Sequence, residues 1–116
     1  MIRHITYTND QMTISAELCS RSAIDCGAHS SKIYGPSDTI PISDHIAFKQ
    51  GHMCDYWIFK PFIILKELMR LNIGDILVYS DAGIKFIGPL NSVVNYMGDE
   101  PFFLFSNGWK HSEWCK

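Results

Sequence analysis

The sequence predicts an α/β domain in which a mostly parallel sheet is flanked by helices. Three observations point there. Residues 3–35 read in the order strand, helix, strand, and a helical crossover between two strands makes a parallel, right-handed pair. Residues 61–79 read as a second helix, a short turn and the continuous apolar run Ile76–Tyr79, the pattern of a strand covered on both faces. The 116 residues are 47% hydrophobic and 19% charged, which suits one domain with a real core.

Arg3 to Thr8 is rich in β-branched and aromatic residues and predicts the first strand. Asn9 and Asp10 offer N-cap chemistry for a helix over about 11–25. On a 100° wheel Met12, Ala16, Cys19, Ala23 and Cys26 form one stripe of mostly small residues, so this helix can lie close to a sheet. Glu17, Arg21 and Asp25 follow an i, i+4 spacing on the outer side. Gly27 ends the helix, and Ser31 to Gly35 forms the second strand. A loop over 36–41 then leads to one or two helical turns over 44–50, capped by Ser43.

Pro61 suits the first position of the next helix, where its missing N–H costs nothing. Phe62, Ile64, Leu65, Leu68, Met69 and Leu71 make its apolar half, and Lys66, Glu67 and Arg70 the other. Ile63 falls among the charges and reads as a stray surface residue. Asn72 and Gly74 stop this helix. After Gly83 the sequence predicts a short strand over 84–87. Gly88 and Pro89 open a third helix carrying Leu90, Val93, Val94 and Met97 at helical spacing, closed by Gly98. Phe102–Phe105 reads as a further buried strand. The tail stops directly after that strand on Trp114, Cys115 and Lys116, which reads as a domain truncated at its C-terminus.

A net charge of −2 carries no electrostatic footprint for nucleic acid or an anionic membrane. No apolar run approaches a membrane span, and the first ten residues lack a secretory pattern. Cys19 and Cys26 lie two helical turns apart, too far to bridge. Reduced thiols and a cytoplasmic location follow as the expectation. The sequence leaves the oligomeric state open.

At residues 55–83 the chain resembles glycosyltransferase-like proteins of the GT-A type. The shared feature is an aromatic-Trp-x-x-Lys-Pro-x-x-Ile-Leu-Lys helix followed by Gly-Asp-Ile-Leu-x-Tyr-x-Asp-Ala-Gly. Here it reads Tyr56, Trp57, Lys60, Pro61, Ile64, Leu65, Lys66, then Gly74 to Tyr79, and Asp81-Ala82-Gly83, without a gap. The first strand and helix and the tail Glu113–Lys116 fit the same group more weakly. The resemblance implies a Rossmann-like GT-A fold, here a single nucleotide-sugar donor domain over 1–116. It would move a hexosyl group from a nucleotide-diphosphate sugar to a hydroxyl of a glycan or other acceptor. It also implies a divalent cation, Mn²⁺ or Mg²⁺, held by an acidic Asp-x-Asp-type pair at a strand end, where it neutralises the leaving diphosphate. Asp81 stands at the first acid, as metal ligand and catalytic residue. Gly83 stands at the second, so one protein carboxylate replaces two.

By the same resemblance Lys60 and Trp57 belong to the donor site. Lys60 would reach the diphosphate, and Tyr7 and Thr8 would receive the base. Ala82 and Gly83 leave room for close approach. Each has an ordinary reading too. Asp81 can cap the turn before Gly83, Lys60 can be a solvated lysine, and Tyr56, Trp57 and Tyr7 can be core. A zinc tetrad from His52, Cys54, His111 and Cys115 has unconvincing spacings. Trp109 and Trp114 can stack a sugar ring or simply be core aromatics. A nucleotidyltransferase on the same sheet is a further enzymatic reading. The alternative function from another class is a non-catalytic, truncated nucleotide-sugar-binding or interaction module.

Overall fold

Ile2–Tyr7 forms β1, and four of its six side chains are buried. A strand so covered must lie inside a sheet, and the computed structural model, which describes residues 1–42 and 58–105, places it there. β1 pairs in parallel on one side with β2 (Ser30–Tyr34), in the register Arg3 to Ser30 through Tyr7 to Tyr34. On the other side it pairs in parallel with β3 (Ile76–Tyr79), from Ile2 opposite Ile76 to Ile5 opposite Tyr79. The order is therefore β2-β1-β3, all parallel. The expected parallel α/β fold stands, in an arrangement compatible with Rossmann-like folds.

The helices divide between the two faces because alternate strand residues point opposite ways. Helix α1 (Thr13–Asp25) and helix α3 (Leu90–Met97) cover one face, where Ile2, Ala23, Ala28 and Leu90 cluster with Ile76, Val78 and Phe86. Helix α2 (Phe59–Leu68) covers the other, where Ile5, Tyr34, Phe59 and Ile63 pack with Leu77 and Tyr79. The predicted small-residue stripe of α1 holds at Ala16, Cys19 and Ala23, all fully buried, while Met12 is exposed. Gly27, at φ +105°, ends α1 in a conformation that favours glycine, and Gly98, at φ +61°, does the same for α3. β3 packs against both apolar clusters yet stays half-buried, because it is an edge strand among the described residues.

Several expectations change. Helix α2 begins at Phe59, so Pro61 is its third residue, still within the first turn where N–H groups lack intrahelical acceptors. Its buried stripe is Phe59, Ile63 and Glu67, spaced i, i+4, i+8. Ile63 is thus core, while Leu65, Leu68 and Met69 are exposed. The reason is the carboxylate of Glu67. It is fully buried against strand cations, with Arg3 Nε 2.7 Å from Oε2 and Lys32 Nζ 4.0 Å from Oε1. The Tyr34 hydroxyl donates to it, and Arg70 lies 3.4 Å away on the next turn. The Arg3 contact is an ion pair without hydrogen-bond alignment. This cluster turns α2 to present Glu67, and Ile63 goes inward with it.

Residues 84–87 form no strand. The segment docks on α1 instead, with Phe86 N–H donating to Ser22 Oγ at 3.0 Å and the Phe86 ring edge-on to His4 at 5.3 Å. Phe102–Phe105 is not a buried strand either: Phe102, Leu104 and Phe105 are exposed, and Phe103 packs edge-to-face on Phe105 and Tyr96. Asn9 accepts from Gln11 N–H in a turn ahead of α1, and Met12 sits at the N-cap with no side-chain cap. β2 runs one residue earlier than expected. Pro36–Ile42, expected as a loop, forms a 3-10 helix. The expected turns at 44–50 lie outside the described residues.

Candidate functional site

The chain leaves β1 for β2 on one side and returns for β3 on the other. Between the carboxyl ends of β1 and β3 the direction of winding therefore reverses. In open α/β sheets such a switch point is where ligands bind, because the loops leaving the two strands diverge and open a crevice. Tyr7 and Thr8 close β1 at this edge, and Ser80 and Asp81 follow β3. Helix α2 starts at the same edge, as two contacts fix: the Phe59 ring stacks on Tyr7 at 3.9 Å, and Lys60 Nζ lies 2.9 Å from Asp81 Oδ1.

The site is thus built around a Lys60–Asp81 ion pair. The Tyr79 hydroxyl donates to the same Oδ1 at 2.8 Å, and Lys60 also lies over the Tyr79 ring at 5.7 Å. Tyr79 and Asp81 are i, i+2 and so share a side of the strand end. The Asp81 side chain is 63% exposed, so the carboxylate stands at the rim rather than in the core. Partial burial pushes its carboxyl up. The Lys60 and Tyr79 hydrogen bonds and the Lys60 charge outweigh that and hold it below the ordinary carboxylate range.

The remaining candidates fall around this pair. Tyr7 is half-buried with one ring face taken by Phe59. Thr8 turns its hydroxyl back to the Asn9 carbonyl at 2.7 Å, and its N–H holds the Tyr34 carbonyl. Ala82 is 7% exposed, tucked under the turn, whereas nothing lies within 4 Å of where a Cβ on Gly83 would sit. Ala82 and Gly83 also border a cleft of about 370 Å³ against α1, lined further by Leu18, Arg21 and Ile84. Trp57 and Tyr56 lie outside the described residues, as do the four zinc candidates and Trp109 and Trp114. Among the described residues no group of three or more His, Cys, Asp or Glu could hold a metal ion.

Two features escaped the sequence reading. Tyr79 as a partner of Asp81 was open to the period-2 argument. The polar cluster behind Asp81 was not, because it draws on four separate elements. There His4, fully buried in β1, places Nδ1 2.7 Å from Ser31 Oγ and Nε2 2.8 Å from Ser80 Oγ. Burial pushes its pKa down to about 4, so it is neutral at ordinary pH. Burial also raises the Cys19 thiol above its usual range, against a hydrogen bond with Ser80.

No helix among the described residues is long and apolar enough to cross a membrane. Comparison with family models, with characterised proteins and with solved structures finds no match for this chain.

Proposed function

We propose that this chain is the donor-binding domain of a GT-A-type glycosyltransferase, moving a hexosyl group from a nucleotide-diphosphate sugar to a hydroxyl acceptor. The observation that carries the reading is the Lys60–Asp81 pair at the β1/β3 switch point, with open space over Gly83. A donor diphosphate is an anion that commonly travels with a cation, and the pair offers one complementary group to each. Lys60, the second residue of α2, adds its charge to the positive end of the helix dipole, a placement that favours a bound anion. Asp81 supplies carboxylate oxygen, the ligand type that Mg²⁺ and Mn²⁺ prefer. With one carboxylate and no caging cluster among the described residues, a cation fits here only if donor phosphate oxygens complete its shell. Bound so, it would offset the charge of the departing diphosphate.

One observation favours the second reading, a non-catalytic binding or interaction module. Asp81 is already paired with Lys60 and hydrogen-bonded by Tyr79, as a carboxylate that merely ties α2 to β3 would be. Calorimetry separates a donor site from a carboxylate that only ties α2 to β3. The 116-residue chain is titrated with UDP- and GDP-sugars, with and without manganese, beside Asp81→Ala. The donor reading expects saturable heat from at least one nucleotide sugar, weakened in the variant. A flat titration across the panel sinks it and leaves an interaction module.

A further inference from the structure

Behind the rim carboxylate lies a hydrogen-bonded chain that ties α1 to β1, β2 and the residue that follows β3. Ser20 Oγ donates to Ser31 Oγ at 2.7 Å, and Ser31 Oγ meets His4 Nδ1. His4 Nε2 meets Ser80 Oγ, which lies 3.2 Å from Cys19 Sγ. The Cys19 thiol then reaches the backbone carbonyl of Asp81 at 3.7 Å. The same sulfur lies 3.8 Å from His4 Nε2. With the single Cys19 proton on the Asp81 carbonyl, which can only accept, the direction of every earlier link follows. Cys19 donates to Asp81, hence Ser80 donates to Cys19. The Ser80 oxygen is then left to accept from His4 Nε2–H. Nδ1 keeps its lone pair and accepts from Ser31, which accepts from Ser20. The run closes without a conflict, and none of its atoms is among the buried polar atoms lacking a partner. The Thr6 hydroxyl lies beside Cys19 but makes no aligned hydrogen bond.

We infer that His4, Ser80 and Cys19 are positioning residues for Asp81: a one-directional donor chain, held at its far end by α1 and β2, fixes the backbone that carries the carboxylate to Lys60. The Asp81 carbonyl receives a second donor, Ile84 N–H at 3.1 Å, which closes the turn over Ala82 and Gly83. The residue is therefore gripped from the α1 side by Cys19 and from the loop by Ile84. Its side chain meets α2 through Lys60 and β3 through Tyr79. Buried networks of this kind hold geometry because breaking one link leaves the next group unsatisfied in a low-dielectric setting. The importance of this for donor binding rests on the transferase reading. The placement of the carboxylate does not.

The test reads the placement of the carboxylate itself. At pH 7 the proximity of the Lys60 and Asp81 side chains is measured by NMR from their proton–proton cross-relaxation in the 116-residue chain, and the proton on His4 is located from its ring nitrogen shifts. The wild type should carry that proton on Nε2 and show the Lys60–Asp81 contact. Ser80→Ala should weaken that contact, as should Cys19→Ala. Cys19→Ser, which keeps a donor, should hold it at the wild-type intensity. A proton on Nδ1 overturns the inference, as does a folded Ser80→Ala with an unchanged contact. If Ser80→Ala does not fold, the Cys19 pair decides: equal contacts in its Ser and Ala variants overturn it. No donor is present in these measurements, so a failed donor screen and a failed contact measurement remain distinguishable.

Discussion

Lys60 and Asp81 are worth little to stability and, under the donor reading, much to a charged ligand, and the difference follows from exposure. Asp81 is 63% exposed, and exposed ion pairs contribute about 0.2–1 kcal/mol. Lys60→Met should therefore lower stability at pH 7 by no more than about 1 kcal/mol in urea melts, less at high salt. The sign with pH follows from the depressed carboxyl of Asp81. The contribution is present above the unfolded value of about 3.9 and is lost as pH falls through the folded one. A charge-assisted hydrogen bond to a ligand is worth about 1.5–3 kcal/mol. Under the donor reading the same Lys60→Met should weaken nucleotide-sugar binding by about tenfold to a hundredfold. Equal affinity in wild type and variant would remove Lys60 from the site.

Helix α2 shows where a single-helix reading stops. Ile63 is fully buried between Phe59 and Glu67, while Leu65 is 59% exposed. Ile63→Ala should cost about 2–5 kcal/mol in chemical denaturation, and Leu65→Ala should stay within about 0.5 kcal/mol. The wheel predicts the reverse, so the pair of measurements decides the register. Glu67→Ala should cost about 3–5 kcal/mol, since it strands Arg3 and the Tyr34 hydroxyl without their partner. The wheel assigned Glu67 outward because charge is normally solvated. What overrides it are the cations of β1 and β2, which are distant in sequence and meet Glu67 only after the strands pair. By contrast α1 and α3 were legible from spacing. Ala16, Cys19 and Ala23 in α1, and Leu90 with Val94 in α3, pack by size and apolarity alone. The paired strands were legible too, whereas 84–87 and 102–105 looked like strands but pair with no strand among the described residues. In the site, Lys60 and Asp81 were named from the sequence. That they touch was not visible, because it depends on α2 starting at Phe59.

The strand order sets both the switch point and the molecule's response to acid. Placing β1 in the centre buries His4 completely, among Ser31, Ser80, Cys19 and the edge of Phe86. None of these neighbours is a carboxylate that would stabilise an imidazolium. With a folded value of about 4 against an ordinary 6.5, the native state resists a proton that the unfolded chain accepts. Stability rises with pH wherever the unfolded state binds more protons. The His4 contribution is therefore intact above pH 6.5, falls as pH drops from there toward 4, and changes no further below. The full effect is on the order of 3 kcal/mol, a large share of the stability of a small domain. The upper part of this window, pH 6.5 to 5, lies above the titration of ordinary carboxylates and above those of Asp75 and Asp81, which are depressed. Urea midpoints measured at pH 7.5, 6 and 5 should fall steadily for the wild type. His4→Gln, which cannot take up the proton, should show a flatter profile from a lower starting point. Parallel profiles for the two proteins would mean that His4 is not held neutral at the centre of the sheet.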